Sequence, residues 1–252
     1  MEEKRFEAGR FFLKDTIRLQ VDFSTTDQSR GRAAPPLQQP CSPNFARVDL
    51  PSGPDTLARL TGIPLGAAIA GRESVRRFSE TSLSLEELSM LLYATQGVRK
   101  VLGPECALRV VPSAGARHAF ESYVAVSRVD DLTPGLYRYL PFDNQLARLY
   151  EDKKIGRRTA EACHWQQFAG KAAAVFFWTA VPSRMEWRYA EAAHKVIAVD
   201  AGHVCQNLYL AVQAIGAGTC AIAAYNQAAC DSLLGVDGSE EFTVYIAPVG
   251  KC

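Results

Sequence analysis

Apolar and polar positions alternate in a way that divides this 252-residue chain into elements from about Leu83 onward. Ser84 followed by Glu87 has the capping-box spacing, and Leu83 and Leu88 are placed to staple across it. Leu85, Leu88, Leu91, Leu92 and Thr95 then keep a mostly apolar helical face, and Gly97 supplies a stop. ESYVAVS reads as a strand. LYRYL and LARLY flank Pro141 to Gln145, a hairpin turned by the Asp143-Asn144 pair. The nearly unbroken apolar run Ala172 to Ala180 suits a strand buried on both faces. A helical stretch runs from about Glu186 to Ile215, apolar along its second half like a central or interfacial helix, and Gly216 and Gly218 end it. TCAIAAY and FTVYIAPVG close the chain as two strands. This alternation predicts α+β or α/β, with a central sheet flanked by helices.

Residues 1–60 follow another pattern. Charge and polarity dominate up to Arg32, and then come Pro35, Pro36, Pro40, Pro43, Pro51 and Pro54. Proline removes backbone donors and favours extended conformations. This segment is predicted to be an extended arm on a single domain spanning 61–252, wrapping or trailing rather than forming its own core.

Composition narrows the chemistry. With 28 basic and 27 acidic residues the net charge is +1, which argues against nucleic acid or an acidic membrane surface as a partner. No apolar stretch approaches the roughly 20 residues that span a bilayer. MEEKRFEAGR lacks the apolar core of a secretory signal, so a cytoplasmic location is predicted. The seven cysteines are odd in number and form no CxxC pair, which fits reduced thiols. Cys163, His164, His194, His203 and Cys205 lack finger-like spacing, and no metal site is predicted.

The most informative stretch is RESVRRF, Arg72 to Phe78. It sets three arginines, a hydroxyl and an aromatic between the apolar segment Ile63 to Ala70 and the capped helix. Arginine offers a planar fork of donors and a fixed charge, as a phosphate group requires. Pro112 to Ala116, PSAGA, is a small-residue loop. Gln206 and Asn207 are amides in an apolar stretch, facing either another subunit, a ligand or solvent. No GxGxxG fingerprint for a resident nicotinamide cofactor is present, and no catalytic triad stands out.

RESVRRF, PSAGARHAFESY, AGHVCQNLYLAVQAIGAGT and IAPVGK occur in this order. From about Ile63 to the C-terminus the chain thereby resembles the nitroreductase-like FMN-dependent oxidoreductases. FFLKDTIRLQVDF and TDQSRG in the arm resemble the extension of the azoline-oxidase-type (SagB-type) branch. The resemblance implies an α+β fold, a central mixed but mainly antiparallel sheet flanked by helices, and an intertwined homodimer with FMN at its interface. It implies that Arg72, Ser74 and Arg76 contact the phosphate and ribityl chain, with Lys251 after Gly250 adding a cation. Arg77 and Phe78 suit a structural role. Pro112, Ser113 and Ala114 match the loop that reaches across the dimer to the flavin ring, where small side chains let backbone approach. Ala223 and Ala224 match the position whose N–H points at flavin N5, although both also suit a strand core.

The activity implied is ping-pong hydride transfer from NAD(P)H or another transient donor, through N5, to a small organic acceptor such as a nitro compound or quinone. The branch also implies dehydrogenation of azoline rings in a ribosomal peptide. There a Lys-Tyr pair handles the substrate proton, and this chain has Arg188-Tyr189. Arginine does not lose its proton, which leaves Tyr189 as the candidate catalytic group. A flavin-binding protein without turnover is the third reading.

Overall fold

The computed structural model describes residues 5–252, so residues 1–4 of the expected arm lie outside the described residues. In chain order the arm carries α1 (Glu7–Leu13), β1 (Ala46–Asp49) and α2 (Gly53–Leu60). There follow α3 (Leu65–Gly71), α4 (Leu85–Gln96) and the hairpin β2 (Val98–Gly103) and β3 (Cys106–Arg109). The remainder is β4 (Phe120–Val126), β5 (Gly135–Leu140), β6 (Gln145–Glu151), α5 (Ile155–Ala162), α6 (Gln167–Lys171), β7 (Ala174–Ala180), α7 (Ser183–Tyr189), α8 (Ala193–Ala214), β8 (Ala217–Thr219), α9 (Gln227–Leu234) and β9 (Phe242–Lys251).

Seven strands form one sheet in the order β1-β6-β5-β4-β7-β9-β8. Their pairings are antiparallel, and parallel contacts occur as the single bridges Ser74↔Thr219 and Leu83↔Val129. β7 lies inside the sheet between β4 and β9, with every residue buried. The two-residue alternation of a strand sends Phe176 and Trp178 into one core layer and Val175 and Phe177 into the other. The first layer takes the buried stripes of α4 and α8, the second those of α5 and α9. The capping box at Ser84 and Glu87 is formed, and Leu83 and Leu88 are fully buried.

Two sequence expectations need correction. The helical stretch from Glu186 to Ile215 is broken at Ala190, where φ is 47° and ψ −133°. Tertiary anchors on α7 set this kink: Trp187 Nε1 donates to the Arg32 carbonyl at 2.9 Å and Arg184 is paired with Glu121, while α8 takes its own course across the core. TCAIAAY is not a strand. β8 stops at Thr219, and of the following residues Ile222 makes one bridge, to Ile246.

The segment before residue 60 is stitched into the fold. β1 pairs with β6, and α2 lies so close to α4 that a Cβ on Gly53 would fall 2.5 Å from the Tyr93 ring. Proline-rich backbone offers carbonyls and few donors, and buried arginines meet them. Arg184 Nε donates to the Pro36 carbonyl (2.8 Å), Arg109 to Leu37 (3.0 Å), and Arg138 to Gln39 (2.7 Å) and Pro40 (3.0 Å). Glu121 binds Arg138 and Arg184 and also accepts from the Gln39 amide at 2.8 Å. Burial alone would raise its carboxyl, but the two guanidinium groups outweigh that and hold it below the ordinary carboxylate value.

Candidate functional site

The arginine run is laid against the end of the sheet by backbone pairing. Val75 N donates to the Thr219 carbonyl at 3.0 Å, and Ser79 N to the Lys251 carbonyl at 2.8 Å. This close approach uses two glycines. A Cβ on Gly218 would lie 2.6 Å from Val75, and one on Gly250 2.9 Å from Phe78. Phe78 thus packs the run onto β9, while Arg72 is half-buried and Arg76 and Arg77 are exposed.

Tyr209 on α8 gathers the components. Its hydroxyl accepts from the Ala221 amide at 2.9 Å and lies 3.1 Å from Ser74 Oγ, and the Arg72 guanidinium carbon sits 5.3 Å from its ring centre. Arg76 lies over Phe168 at 5.9 Å. Neither arginine has a carboxylate partner among the described residues. Beside them Thr219 Oγ1 is buried without a partner. Two free guanidinium groups and an exposed serine hydroxyl are a donor set that fits a phosphate monoester. Lys251 does not add to that set, because its ammonium is held by Glu87 (2.5 Å) and the Ile215 carbonyl (2.6 Å). Ala223 and Ala224 stand exposed on the loop beyond Ala221 and are not in a strand core; the Ala224 carbonyl accepts from Gln166 at 2.8 Å.

A second group forms around Pro112, Ser113 and Ala114. The loop turns through left-handed backbone at Gly115, Ala116 and His118. Asp200 on α8 fixes it: its carboxylate accepts from the Ala114 amide at 3.3 Å and bonds the Ser113 side chain, which in turn accepts from the His118 amide at 2.9 Å. Burial raises the Asp200 carboxyl above its usual range. Burial, and next the charge of Arg109, push the His118 imidazole down to about 3. Tyr189 meets this loop at Gly115, where a Cβ would fall 2.7 Å from the phenol oxygen and 2.8 Å from Arg188 Cδ and Nε. A cavity of about 180 Å³ opens beside the loop, lined by Arg99, Arg109, Pro112, Ser113, Ala116 and His118.

The structure therefore brings Arg72, Ser74 and Arg76 together with the backbone of Gly250 and Lys251, and separately joins Pro112, Ser113 and Ala114 to Tyr189. No hydrogen bond or ion pair among the described residues links the two groups directly. From Asp200 to Tyr209 the helix rises about 13 Å. Asn207 donates to the Ala94 carbonyl at 2.8 Å, whereas Gln206 is exposed. Motif reading missed Tyr209, Thr219 and Asp200. Asp200 did leave a signal, as the one acidic residue of Ala193–Ala214.

Comparison with known proteins places these groups in context. The sequence model described as "Nitroreductase family" matches residues 69–251. The description "putative nitroreductase" is carried by three relatives. A protein of Methanocaldococcus jannaschii is 31% identical over 189 residues, 75% of this chain and 91% of its own. A crystal structure from Ralstonia eutropha has a TM-score of 0.67 at 24% identity, covering 87% of this chain and 98% of that one. Another from Anabaena variabilis has a TM-score of 0.66 at 21% identity, covering 85% of this chain and 45% of that one. A chain of the E. coli microcin synthetase McbBCD complex with truncated pro-MccB17 bound has the same fold, with a TM-score of 0.60 at 15% identity over 92% of this chain and 82% of that one. No described helix is long and apolar enough to cross a membrane.

Proposed function

The chain belongs to the nitroreductase family of oxidoreductases, and from that premise we propose that it binds FMN and transfers hydride through it between NAD(P)H, or another donor, and a small organic acceptor. The observation that carries the reading is the uncompensated pair Arg72 and Arg76 beside the exposed Ser74 hydroxyl. Arg72 and Arg76 neutralise the phosphate, and Ser74 donates to its oxygens. Tyr209 holds Arg72 and Ser74 in place. Gly250 acts through close backbone packing, and Lys251 as an ion pair to Glu87 that ties β9 to α4.

The chemistry FMN supplies is hydride acceptance and donation at N5, in alternate half-reactions with a nicotinamide donor and with an acceptor such as a nitro compound or quinone. The exposed backbone of Ala223 and Ala224 offers N–H groups to the ring, and Pro112, Ser113 and Ala114 offer a small-residue surface on which a flat ring packs. These two groups lie apart within one chain, which supports a homodimer in which the loop of one copy completes the site of the other. Exposed Leu65, Ile69 and Val199 on α3 and α8 supply apolar surface for that contact. No side-chain acid is needed for the hydride step, in keeping with a site built from arginines, hydroxyls and backbone. We place the enzyme in the cytoplasm.

Titration with FMN and with riboflavin tests the phosphate site. FMN is expected to bind more tightly, and Arg72→Ala and Arg76→Ala are each expected to weaken it by about 1.5–3 kcal/mol. Unchanged FMN affinity in the double variant would refute the assignment. Anaerobic stopped-flow mixing with NADH and NADPH tests turnover, and absence of bleaching with either leaves a flavin-binding protein without reductase activity. Dehydrogenation of azoline peptides is the second reading, favoured by the placement of the Tyr189 hydroxyl against Gly115. Oxidation of an azoline peptide to the azole, with matching bleaching of the flavin, by wild type but not by Tyr189→Phe would select it.

A further inference from the structure

We propose that the surface over Gly115 is an anion site, and that the acceptor taken by this enzyme carries a carboxylate held by Arg188. The proposal rests on the FMN reading above and names the substrate class of the same site.

Arg188 is half-buried, and its Cδ and Nε lie where a Cβ on Gly115 would come within 2.8 Å. The guanidinium is therefore laid against a loop residue that has no side chain. It has neither an ion pair nor a hydrogen-bond acceptor among the described residues, and its one recorded contact as a cation is the ring of its neighbour Tyr189, 5.7 Å away. Close by is a second guanidinium. Arg117 is 3% exposed, stacks on Trp187 at 4.5 Å and donates to the carbonyls of Arg184 (3.1 Å) and Glu105 (2.9 Å). Its Nη2 is buried with no partner. Arg117 and Arg188 are near enough to repel each other.

The carboxylates of this region are committed elsewhere. Glu121 serves Arg138 and Arg184, Asp200 serves Ala114 and Ser113, and Glu186 faces His194 at 2.9 Å. Glu105 is the one whose charge reaches Arg117. Arg188 has no carboxylate of its own and shares this corner with a second guanidinium, an arrangement that disfavours the empty site and that an incoming anion relieves. A carboxylate matches the planar fork of Arg188. The Tyr189 hydroxyl, 2.7 Å from the same Cβ position on Gly115, supplies one more donor. One free guanidinium with one hydroxyl suits a single negative charge better than the pyrophosphate of a nicotinamide donor, so the anion is assigned to the acceptor.

The FMN-loaded protein should be assayed with 4-nitrobenzoate and with 4-nitrobenzamide, its neutral counterpart, in wild type, Arg188→Gln and Arg188→Lys. Wild type is expected to prefer the carboxylate about tenfold in kcat/KM, mainly through KM, a size in keeping with one charge-assisted contact. The preference should fall to about one in Arg188→Gln and be partly kept in Arg188→Lys. A ratio near one in wild type, or one unmoved by Arg188→Gln, overturns the proposal. So does an Arg188→Gln variant that loses NADPH affinity in the reductive half-reaction and keeps its carboxylate preference, since the anion would then belong to the donor. If no acceptor is turned over, the FMN reading is what fails. Quenching of protein fluorescence by 4-nitrobenzoate then decides the anion site by itself: binding lost in Arg188→Gln sustains it, and equal binding overturns it.

Discussion

Ser74 forms a parallel bridge with Thr219, and this pairing, together with the Ser79 to Lys251 backbone hydrogen bond, seats the arginine run on the end of the sheet. The bridge has no room for a side chain at the neighbouring glycine: a Cβ on Gly218 would approach Val75 Cβ and Cγ2 to 2.6 Å. Gly218→Ala is therefore expected to push Val75 and Ser74 off the strand, destabilising the fold by about 1–3 kcal/mol, as overpacking does. Flavin affinity should fall further than stability alone explains, because Ser74 moves with the bridge. Urea unfolding and FMN fluorescence titration measure the two effects separately. Unaltered FMN affinity in a folded variant would show that the bridge does not position the donors.

A second prediction concerns Glu121, whose side chain is 2% exposed and paired to two arginines exposed 7% and 1%. Glu121→Gln removes the one carboxylate between Arg138 and Arg184 and leaves two buried guanidinium groups uncompensated. Breaking a buried pair in this way costs about 3–5 kcal/mol. The loss should spread to the arm, since Glu121 also holds the Gln39 amide and both arginines hold arm carbonyls. Limited proteolysis should then cut between residues 30 and 45 at protease levels that leave wild type intact.

Much of this fold is written in contiguous patterns. The Ser84 capping box, the doubly buried run around Phe176 and the Asp143-Asn144 hairpin are local signals, and each formed where its pattern placed it. The break at Ala190 left no such signal. Alanine is the best helix former, and its left-handed backbone is imposed by the tertiary anchors Trp187 and Arg184. The site divides along the same line. RESVRRF is one uninterrupted motif, whereas Tyr209, Thr219 and Asp200 meet their partners across long sequence separations and carry no spacing rule. The exposure of Ala223 and Ala224 was equally invisible, because an apolar run next to a strand reads as more strand until the sheet register is known.

Stability should fall on mild acidification. His118 titrates near 6.5 when unfolded and is pushed down to about 3 in the fold, first by burial and then by Arg109. The unfolded chain therefore binds a proton that the native protein refuses, and stability drops as pH falls below 6.5. The gap corresponds to at most about 5 kcal/mol, reached only near pH 3. Glu121, with its lowered value, adds loss in the same direction only as pH falls below the ordinary carboxylate value of 4.5. Urea midpoints at pH 7 and pH 5 isolate the histidine. His118→Asn, chosen because asparagine tolerates the left-handed backbone at this position, should flatten the difference between those two values. An equal difference in the variant would assign the acid sensitivity to another group.

Asp200 offers the sharpest separation of the two halves of the site. It is the carboxylate that holds the Pro112–Ala114 loop, through the Ala114 amide and the Ser113 side chain, yet it lies about 13 Å along α8 from the Tyr209 group. Asp200→Ala leaves the Ala114 amide without its acceptor and Ser113 without its anchor, a loss of about 1–3 kcal/mol if water does not replace it. Because burial already raises the Asp200 carboxyl, part of that loss is returned by removing a poorly solvated charge, so the net effect on global stability should fall at the low end. The local effect should not. Amide exchange at Ala114 to Ala116 should quicken well beyond the change in global unfolding, and acceptor KM should rise as the loop loses its shape. FMN affinity, which the proposed site assigns to Arg72, Ser74 and Arg76, should change least of the three. If FMN affinity instead falls most, the loop and the phosphate donors are one cooperative unit, and the division of the site into two groups on α8 is wrong.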